Sequence, residues 1–160
     1  ISFSTKKLGE EIIPVAKLSD HKQDAILHNY YTTKLLERLL QRISTETGLS
    51  SNELIVIHYL SCFPNSNVTK DMSLFTDINQ FLLVPLLEKL VFNEYVTRVK
   101  SSDFETYYSL TQKAKSITKQ LNQLTQDFDS IRFAGIEPST QKLLQSTEET
   151  IYENIRQKLT

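Results

Sequence analysis

The side chains in this sequence that could do chemistry on their own are one thiol and three imidazoles. They belong to Cys62, His21, His28 and His58, and such groups serve as nucleophiles, general bases or metal ligands. A metal site needs several of them at short, paired spacings, which this sequence lacks. It therefore predicts no metal site and no cofactor, and a single cysteine rules out an internal disulfide.

Cys62 itself allows two interpretations. As a thiolate it could sense peroxide, but nothing close to it in the sequence would lower its pKa decisively. Because Cys62 falls late in an apolar helical segment, a buried and inert thiol is the expected alternative. The sequence also contains no Gly-rich phosphate loop, no Gly-x-Ser-x-Gly motif and no histidine at motif spacing from a nucleophile. We therefore expect a protein that is not an enzyme.

The bulk properties are those of one globular domain. The chain has 160 residues, of which 39% are hydrophobic and 23% charged, enough for a single core. No apolar run approaches the roughly 18–20 residues that span a bilayer, so we expect no membrane contact. Residues 1–7 lack the charged-then-apolar order of a signal peptide. Together with the single cysteine, these features favour a cytoplasmic location.

Charge is the first test of nucleic-acid binding, because affinity for DNA depends on neutralising phosphates. The net charge is −1, which argues against histone-like binding. Residues 65–105 carry four basic and six acidic side chains, a balance of −2. Six basic residues of the flanking helices could still gather in space, namely Lys34, Arg38, Arg42, Lys113, Lys115 and Lys119.

The elements that would position these groups are mainly helices. Residues 1–21 contain Gly9 and Pro14, so we expect an arm with at most a short helix. Apolar residues then recur at steps of three and four from Lys22 to about Thr47 and predict a helix that Gly48 ends. Ser50 and Glu53 form a capping box for a second helix that ends before Pro64.

The middle of the sequence predicts two further helices and a β-hairpin. Thr69 can cap a short third helix, and Thr76 can cap a fourth helix that contains Pro85. Residues 95–99 and 106–110 are β-branched and alternating, with a polar loop between them, which predicts two paired strands. Two helices joined by a turn and followed by a hairpin are typical of a winged helix-turn-helix.

The last fifty residues predict two more helices. Residues 111–133 carry a heptad-like apolar seam that consists of Ile117, Leu121, Leu124, Phe128 and Ile131. Gly135 ends this helix, and Pro138 begins the next. Because the small central module cannot cover these seams, we expect the flanking helices to form a dimerisation layer.

In this order of elements, the chain resembles the MarR family of transcription regulators and its SarA-like branch over residues 22–160. The resemblance rests on residues 49–54 and 68–72 at helix starts, 87–90 and 95–98 around the fourth helix and wing, and 108–111 and 135–138 at junctions. It implies a mainly α fold with a small β-hairpin wing, in which a winged helix-turn-helix is flanked by dimerisation helices. Residues 1–160 would form one domain, divided into an arm and helix (1–47), the winged module (48–110) and the C-terminal helices (111–160).

The resemblance further implies a homodimer that binds a double-stranded DNA operator through its fourth, recognition helix. A hydroxyl and a lysine at a helix start would contact phosphates, amides on the recognition helix would read adenine edges, and polar residues would act from the wing. The alternative is that these side chains are ordinary solvated residues. The candidates are Thr69, Lys70, Asn79, Gln80, Lys89, Arg98, Lys100 and Ser101.

MarR proteins often bind small aromatic or phenolic effectors between the dimer layer and the DNA-reading module. His28, Tyr30, Tyr31 and His58, with the neighbouring Tyr59, could line such a crevice. The alternative is that they are core side chains with satisfied polar atoms.

This chain departs from the family pattern in the wing and the recognition helix. No arginine follows Asp103 in the wing, apolar Leu83, Val84 and Pro85 replace polar residues, and Glu94 stands where a glycine is common. An alternative function is therefore a winged-helix module that binds a protein partner and has lost or weakened DNA binding. A solvent-exposed apolar patch on the recognition helix would favour that alternative.

Overall fold

The computed structural model describes residues 24–64, 81–100 and 106–159 with their side chains, and residues 5–8, 11–14 and 80 by their backbone. The chain divides into two compact units, Ile1–Arg38 and Leu39–Thr160. The predicted short helix that begins at Thr69 lies outside the described residues, as does its cap.

The first unit contains a hairpin that the sequence interpretation missed. Strand β1 (Thr5–Leu8) pairs antiparallel with β2 (Glu11–Pro14), so that Leu8 stands opposite Glu11. The expectation of an arm with at most a short helix did not include this hairpin, and residues 15–21 of the arm lie outside the described residues. Gly9 and Pro14 disfavour a helix as expected, but a two-residue connection that includes glycine also suits a tight hairpin.

Helix α1 (Ala25–Thr47) begins in the first unit. It starts three residues later than the periodicity predicts, because Asp24 caps it: the backbone N–H of Leu27 donates to Asp24 Oδ1 at 2.9 Å. At its other end Gly48 has a φ of +74°, in the left-handed region that suits glycine, and its N–H donates to Ser44 O.

The second unit contains the core. Helix α2 (Ser51–Cys62) opens with the predicted capping box: Ser50 Oγ accepts from Glu53 N, and Glu53 Oε2 accepts from Ser50 N. Helix α3 (Gln80–Phe92) packs on α2 and on strand β3 (Val96–Lys100), which pairs with β4 (Thr106–Leu110) so that Arg98 faces Tyr108. Fully buried residues from these elements form the centre of the core, namely Leu54, Val56, Ile57, Leu83, Leu87, Leu90 and Val96.

The junction between α3 and β3 is a Schellman turn. Tyr95 N donates to Leu90 O, and Glu94 N donates to Val91 O, each at 3.0 Å. Glu94 occupies the left-handed position of this turn, with a φ of 63°. That conformation explains why a glycine would be favoured here. Thr111, beyond β4, fixes the same junction, because its hydroxyl donates to Glu94 O at 2.6 Å.

The C-terminal helices differ in how much they bury. A 3-10 turn (Gln112–Ala114) leads into α4 (Lys115–Arg132), in which Ile117, Leu121 and Leu124 are buried while Ile131 is exposed. Helix α5 (Pro138–Leu159) buries no residue. Its apolar side chains are exposed or half-buried, as at Ile151 and Ile155. Within the described residues, every helix is too short or too polar to span a lipid bilayer.

Candidate nucleic-acid interface

Helix α3 occupies the position of the predicted recognition helix and has two different faces. Leu83, Leu87 and Leu90 point into the core and are fully buried. On the outward side Leu82 is 63% exposed and Val84 is 43% exposed. The outward surface of this helix is therefore largely apolar, as the sequence alternative of a protein-binding module requires.

Lys89 lies near the end of α3 and forms an ion pair with a buried carboxylate. Its Nζ is 2.9 Å from Oε1 of Glu53, which is 2% exposed, whereas the lysine side chain is 61% exposed. Burial by itself would raise the pKa of Glu53, but the hydrogen bonds from Ser50 and the ammonium of Lys89 outweigh it and hold this pKa below its ordinary value. Lys89 thus links α3 to the start of α2.

Arg98 lies on β3 and pairs with a carboxylate of the neighbouring helix. Its guanidinium donates to Glu88 Oε2 on α3, and both side chains remain partly exposed. The contact with Glu88 raises the pKa of Arg98, which stays charged. The pair joins β3 to α3, and the carboxylate of Glu88 partly neutralises the positive charge of Arg98.

The other predicted DNA contacts fall at the margins of the described residues. Thr69, Lys70, Asn79 and Ser101 lie outside them, and Gln80 is the first residue of α3. Lys100 ends β3 and is exposed.

Within the parts of the chain that the structure describes, Lys100 has no ion-pair partner. Of the three described basic candidates, Lys89 and Arg98 are therefore paired with carboxylates of the protein.

The basic residues of the flanking helices are partly engaged as well. Arg42 lies 3.7 Å from Asp127. Lys113 donates to Asn93 O at 2.9 Å and lies over the ring of Tyr95. Lys115 and Lys119 are exposed on α4. The structure thus offers single exposed cations on this helix, while several other basic residues are bound to groups of the protein itself.

The residues predicted to bind an effector are divided between the two units. In the first unit, Tyr30 and Tyr31 pack edge to face with centroids 5.5 Å apart, and His28 is exposed. In the second, Tyr59 is buried in the core against Phe63, which favours the core alternative for Tyr59. The effector site of His28, Tyr30, Tyr31 and His58 stays a prediction.

Cys62 corrects one expectation from the sequence. The thiol is exposed rather than buried, because it lies at the last residue of α2, where the helix leaves the core. Its Sγ lies 3.7 Å from Nε2 of His58, one helical turn earlier. His58 is half-buried, and burial lowers its pKa, so its neutral form is favoured. Among the described residues, no group of three or more potential metal ligands is present.

Solved structures show which known proteins share this arrangement of helices and wing. A MarR-family transcriptional regulator from Silicibacter pomeroyi is similar with a TM-score of 0.71 and 19% identity, over 88% of this chain and 94% of that one. A MarR-family regulator from Listeria monocytogenes complexed with 26mer DNA matches with a TM-score of 0.72 and 12% identity, over 86% of this chain and 92% of that one. The chain has the MarR winged-helix fold.

The MarR protein of Escherichia coli in its reduced form has the same fold, with a TM-score of 0.59 and 17% identity over 89% of this chain and 98% of that chain. No family model and no curated protein matches the sequence. The predicted fold class, a mainly α MarR-type winged helix with a hairpin wing, is thus confirmed.

Sequence reasoning missed the two ion pairs of α3, which join Lys89 to Glu53 and Glu88 to Arg98. Glu53 was identified only as a capping residue, and Lys89 only as a candidate DNA contact. The capping box is local and can be read from the spacing of Ser50 and Glu53. The partner of Glu53 is distant in sequence, and nothing in the spacing of charges indicates it.

Proposed function

We propose that this protein is a dimeric, DNA-binding transcription regulator of the MarR type that is not an enzyme. The observation that carries the proposal is that α3 turns one face to solvent directly beside the β3–β4 wing. The proteins that share this fold are regulators, one of them complexed with DNA. In this proposal α3 enters the major groove and the wing lies along the neighbouring backbone.

The proposed contacts keep the roles that the sequence suggests. Asn79 and Gln80, of which Gln80 is the first residue of α3, read base edges through their amides. Lys100 and Ser101 act from the wing, with Arg98 available when its pair with Glu88 opens, since ion pairs between exposed side chains are weak. Thr69 and Lys70 bind phosphate, and the role of Lys89 is considered below.

Dimerisation and control by an effector complete the proposal. Helix α5 buries no residue although Ile151, Ile155 and Leu159 form an apolar stripe at helical spacing. Such a stripe is normally covered, which supports a second copy as its partner. A small aromatic effector near His28, Tyr30, Tyr31 and His58 would change the separation of the two recognition helices and so the affinity for DNA.

Fluorescence polarisation with DNA that flanks the protein's own gene tests this function. We expect binding that exceeds binding to a scrambled duplex and that weakens as salt rises, because each phosphate contact contributes about 0.9 to the slope of log affinity against log salt. Equal affinity for both duplexes, or no binding at low salt, would contradict the proposal.

Two matched variants make the same test specific to the wing. Lys100→Ala removes an exposed cation from β3 and should lower the salt slope by about one. Lys142→Ala removes an exposed cation from α5 and should leave the slope unchanged. Equal effects of the two changes would show that DNA does not contact the wing.

The apolar outward face of α3 favours a second candidate, a protein-interaction module. The two functions make opposite predictions for Leu82→Lys. On a DNA-reading helix the new cation should tighten binding and steepen its salt dependence. On a protein-binding helix the substitution should abolish the chemical crosslink that the wild-type protein forms with a partner in the cells of origin. In that case neither the wild-type protein nor the variant should bind DNA at low salt.

A further inference from the structure

We propose that Lys89 is a positioning residue that fixes the recognition helix through the buried Glu53, rather than a phosphate contact. The inference rests on the proposed DNA-binding function. It concerns a chain of three residues on two helices: Ser50 and Glu53 at the start of α2, and Lys89 on α3.

The two oxygens of the Glu53 carboxylate have different partners. Oε2 accepts a hydrogen bond from Ser50 N at 2.7 Å, as part of the capping box. Oε1 is buried, and among the described residues its partner is the side chain of Lys89. The ammonium of Lys89, at 2.9 Å, is the cation that compensates it. One of the two oxygens of this buried carboxylate is therefore compensated by a residue of α3.

This contact keeps the side chain of Lys89 beside Glu53. If Lys89 turned toward a DNA phosphate, Oε1 would lose the cation that compensates it, and breaking an ion pair with a buried carboxylate is costly. The pair of Arg98 and Glu88 is different, because both of its side chains are partly exposed and water can replace either partner. Lys89 is therefore held in place in a way that Arg98 is not.

The ion pair also gives α3 a directional contact, which its apolar contacts do not provide. Leu83, Leu87 and Leu90 bury the inner face of the helix, but apolar contacts are non-directional and tolerate small rotations. Glu53 is itself fixed by the capping box, so the contact at Lys89 sets the rotation of α3 relative to α2. That rotation determines where the outward residues of α3 point.

The test compares four variants of the full chain: Glu53→Gln, Lys89→Met, Lys89→Arg and, as a matched exposed cation, Lys100→Met. Glutamine keeps the capping hydrogen bond from Ser50 but loses the charge, so the fold should be retained. DNA affinity is measured across a series of salt concentrations. Hydrogen exchange of the α3 amides is measured without DNA.

If Lys89 positions α3, Lys89→Met should weaken DNA binding roughly tenfold at every salt concentration and leave the salt slope unchanged. Glu53→Gln should also weaken binding, although Glu53 is buried, and Lys89→Arg should restore most of the affinity. Lys100→Met should instead lower the slope by about one. Hydrogen exchange of the α3 amides should be faster than in the wild-type protein for Glu53→Gln and Lys89→Met, but not for Lys89→Arg or Lys100→Met.

The opposite result would assign Lys89 to the phosphates. In that case Lys89→Met lowers the slope, as Lys100→Met does, and Glu53→Gln tightens binding because it releases the lysine. If the wild-type protein binds no DNA at low salt, the proposed function fails. The hydrogen exchange then decides the positioning role alone: unchanged protection of α3 in Glu53→Gln and Lys89→Met overturns it.

Discussion

At the scale of single residues, Glu94 shows a conflict between side chain and backbone. It occupies the left-handed position of the Schellman turn that ends α3, with a φ of 63°. Residues with a Cβ adopt this conformation at a cost of roughly 1–2 kcal/mol, whereas glycine does so freely. The turn is nonetheless formed, because its hydrogen bonds and the Thr111 hydroxyl hold it.

Glu94→Gly should therefore stabilise the protein. We expect the free energy of unfolding in urea to rise by about 1 kcal/mol, because the relief of backbone strain exceeds the added entropy of the unfolded chain. Gly48→Ala is the opposite control. Gly48 has a φ of +74° and open space where a Cβ would lie, so alanine should lower the free energy of unfolding by a similar amount through backbone strain alone. A stability loss on Glu94→Gly would contradict this account.

His58 gives the protein a pH dependence of stability. Burial lowers its pKa below the ordinary 6.5, so the unfolded chain binds a proton at a higher pH than the folded one. The free energy of unfolding should then fall as the pH drops below 6.5, until the folded pKa is reached. Glu53, whose pKa is also lowered, acts in a separate window: its contribution is complete above its ordinary 4.5 and is lost below it.

Urea unfolding at a series of pH values checks the histidine assignment. His58→Gln should remove the loss of stability that begins below pH 6.5. His28→Gln, a change at an exposed histidine on α1, should leave that loss in place. An unchanged pH profile in His58→Gln would assign the effect to another group.

At the scale of elements, the sequence predicts those boundaries that depend on local chemistry. The capping box of Ser50 and Glu53, the left-handed Gly48 and Gly135, and the initial Pro138 each act within a few residues, and each marks the expected boundary. The hairpin in the arm was not predicted, because the same glycine and proline that interrupt a helix are compatible with a hairpin.

The candidate site was less predictable than the elements for a physical reason. Which cations remain available to DNA depends on contacts between elements, such as Lys89 with Glu53 and Arg98 with Glu88. Side-chain pairs between α3 and its neighbours arise only when the core brings these elements together. Counting charges over residues 65–105 reveals the acidic balance, but not which cations are paired.

Pro85 lies within α3 and affects the stability of the whole helix. Proline has no N–H for the helical hydrogen bond and crowds the preceding turn. Since Pro85 is exposed and fills no part of the core, Pro85→Ala should stabilise α3 by about 1–3 kcal/mol. Thermal unfolding of the two forms measures the change. A lower melting temperature for the alanine variant would show that proline fits this helix better than alanine.

At the scale of the whole molecule, α5 is the helix whose apolar side chains a single chain leaves uncovered. It has 22 residues and no buried side chain, and helices with so little packing are only marginally stable in water. The apolar stripe of Ile151, Ile155 and Leu159 is the surface through which a second copy would stabilise it. The proposed dimer would thus provide folding energy as well as symmetry.

Sedimentation velocity tests this dependence. The wild-type chain should sediment as a dimer at micromolar concentration, and Ile155→Glu should shift it to monomer, because a charge inside an apolar interface is left without a partner. Gln157→Glu adds the same charge to an exposed position two residues away and should leave the dimer intact. A wild-type monomer, or equal effects of both changes, would contradict the role of α5.

The pairing of Lys89 with Glu53 and of Arg98 with Glu88 also bears on how such a regulator would find its operator. A reading surface on which two of the three described cations are already compensated would displace fewer counterions, so its hold on random DNA would be weaker. If it binds DNA as proposed, such a protein would spend little time sliding along the chromosome and would sample sites mainly through repeated encounters from solution. Occupancy of its operator would then depend on its copy number in the cell more than on the length of surrounding DNA.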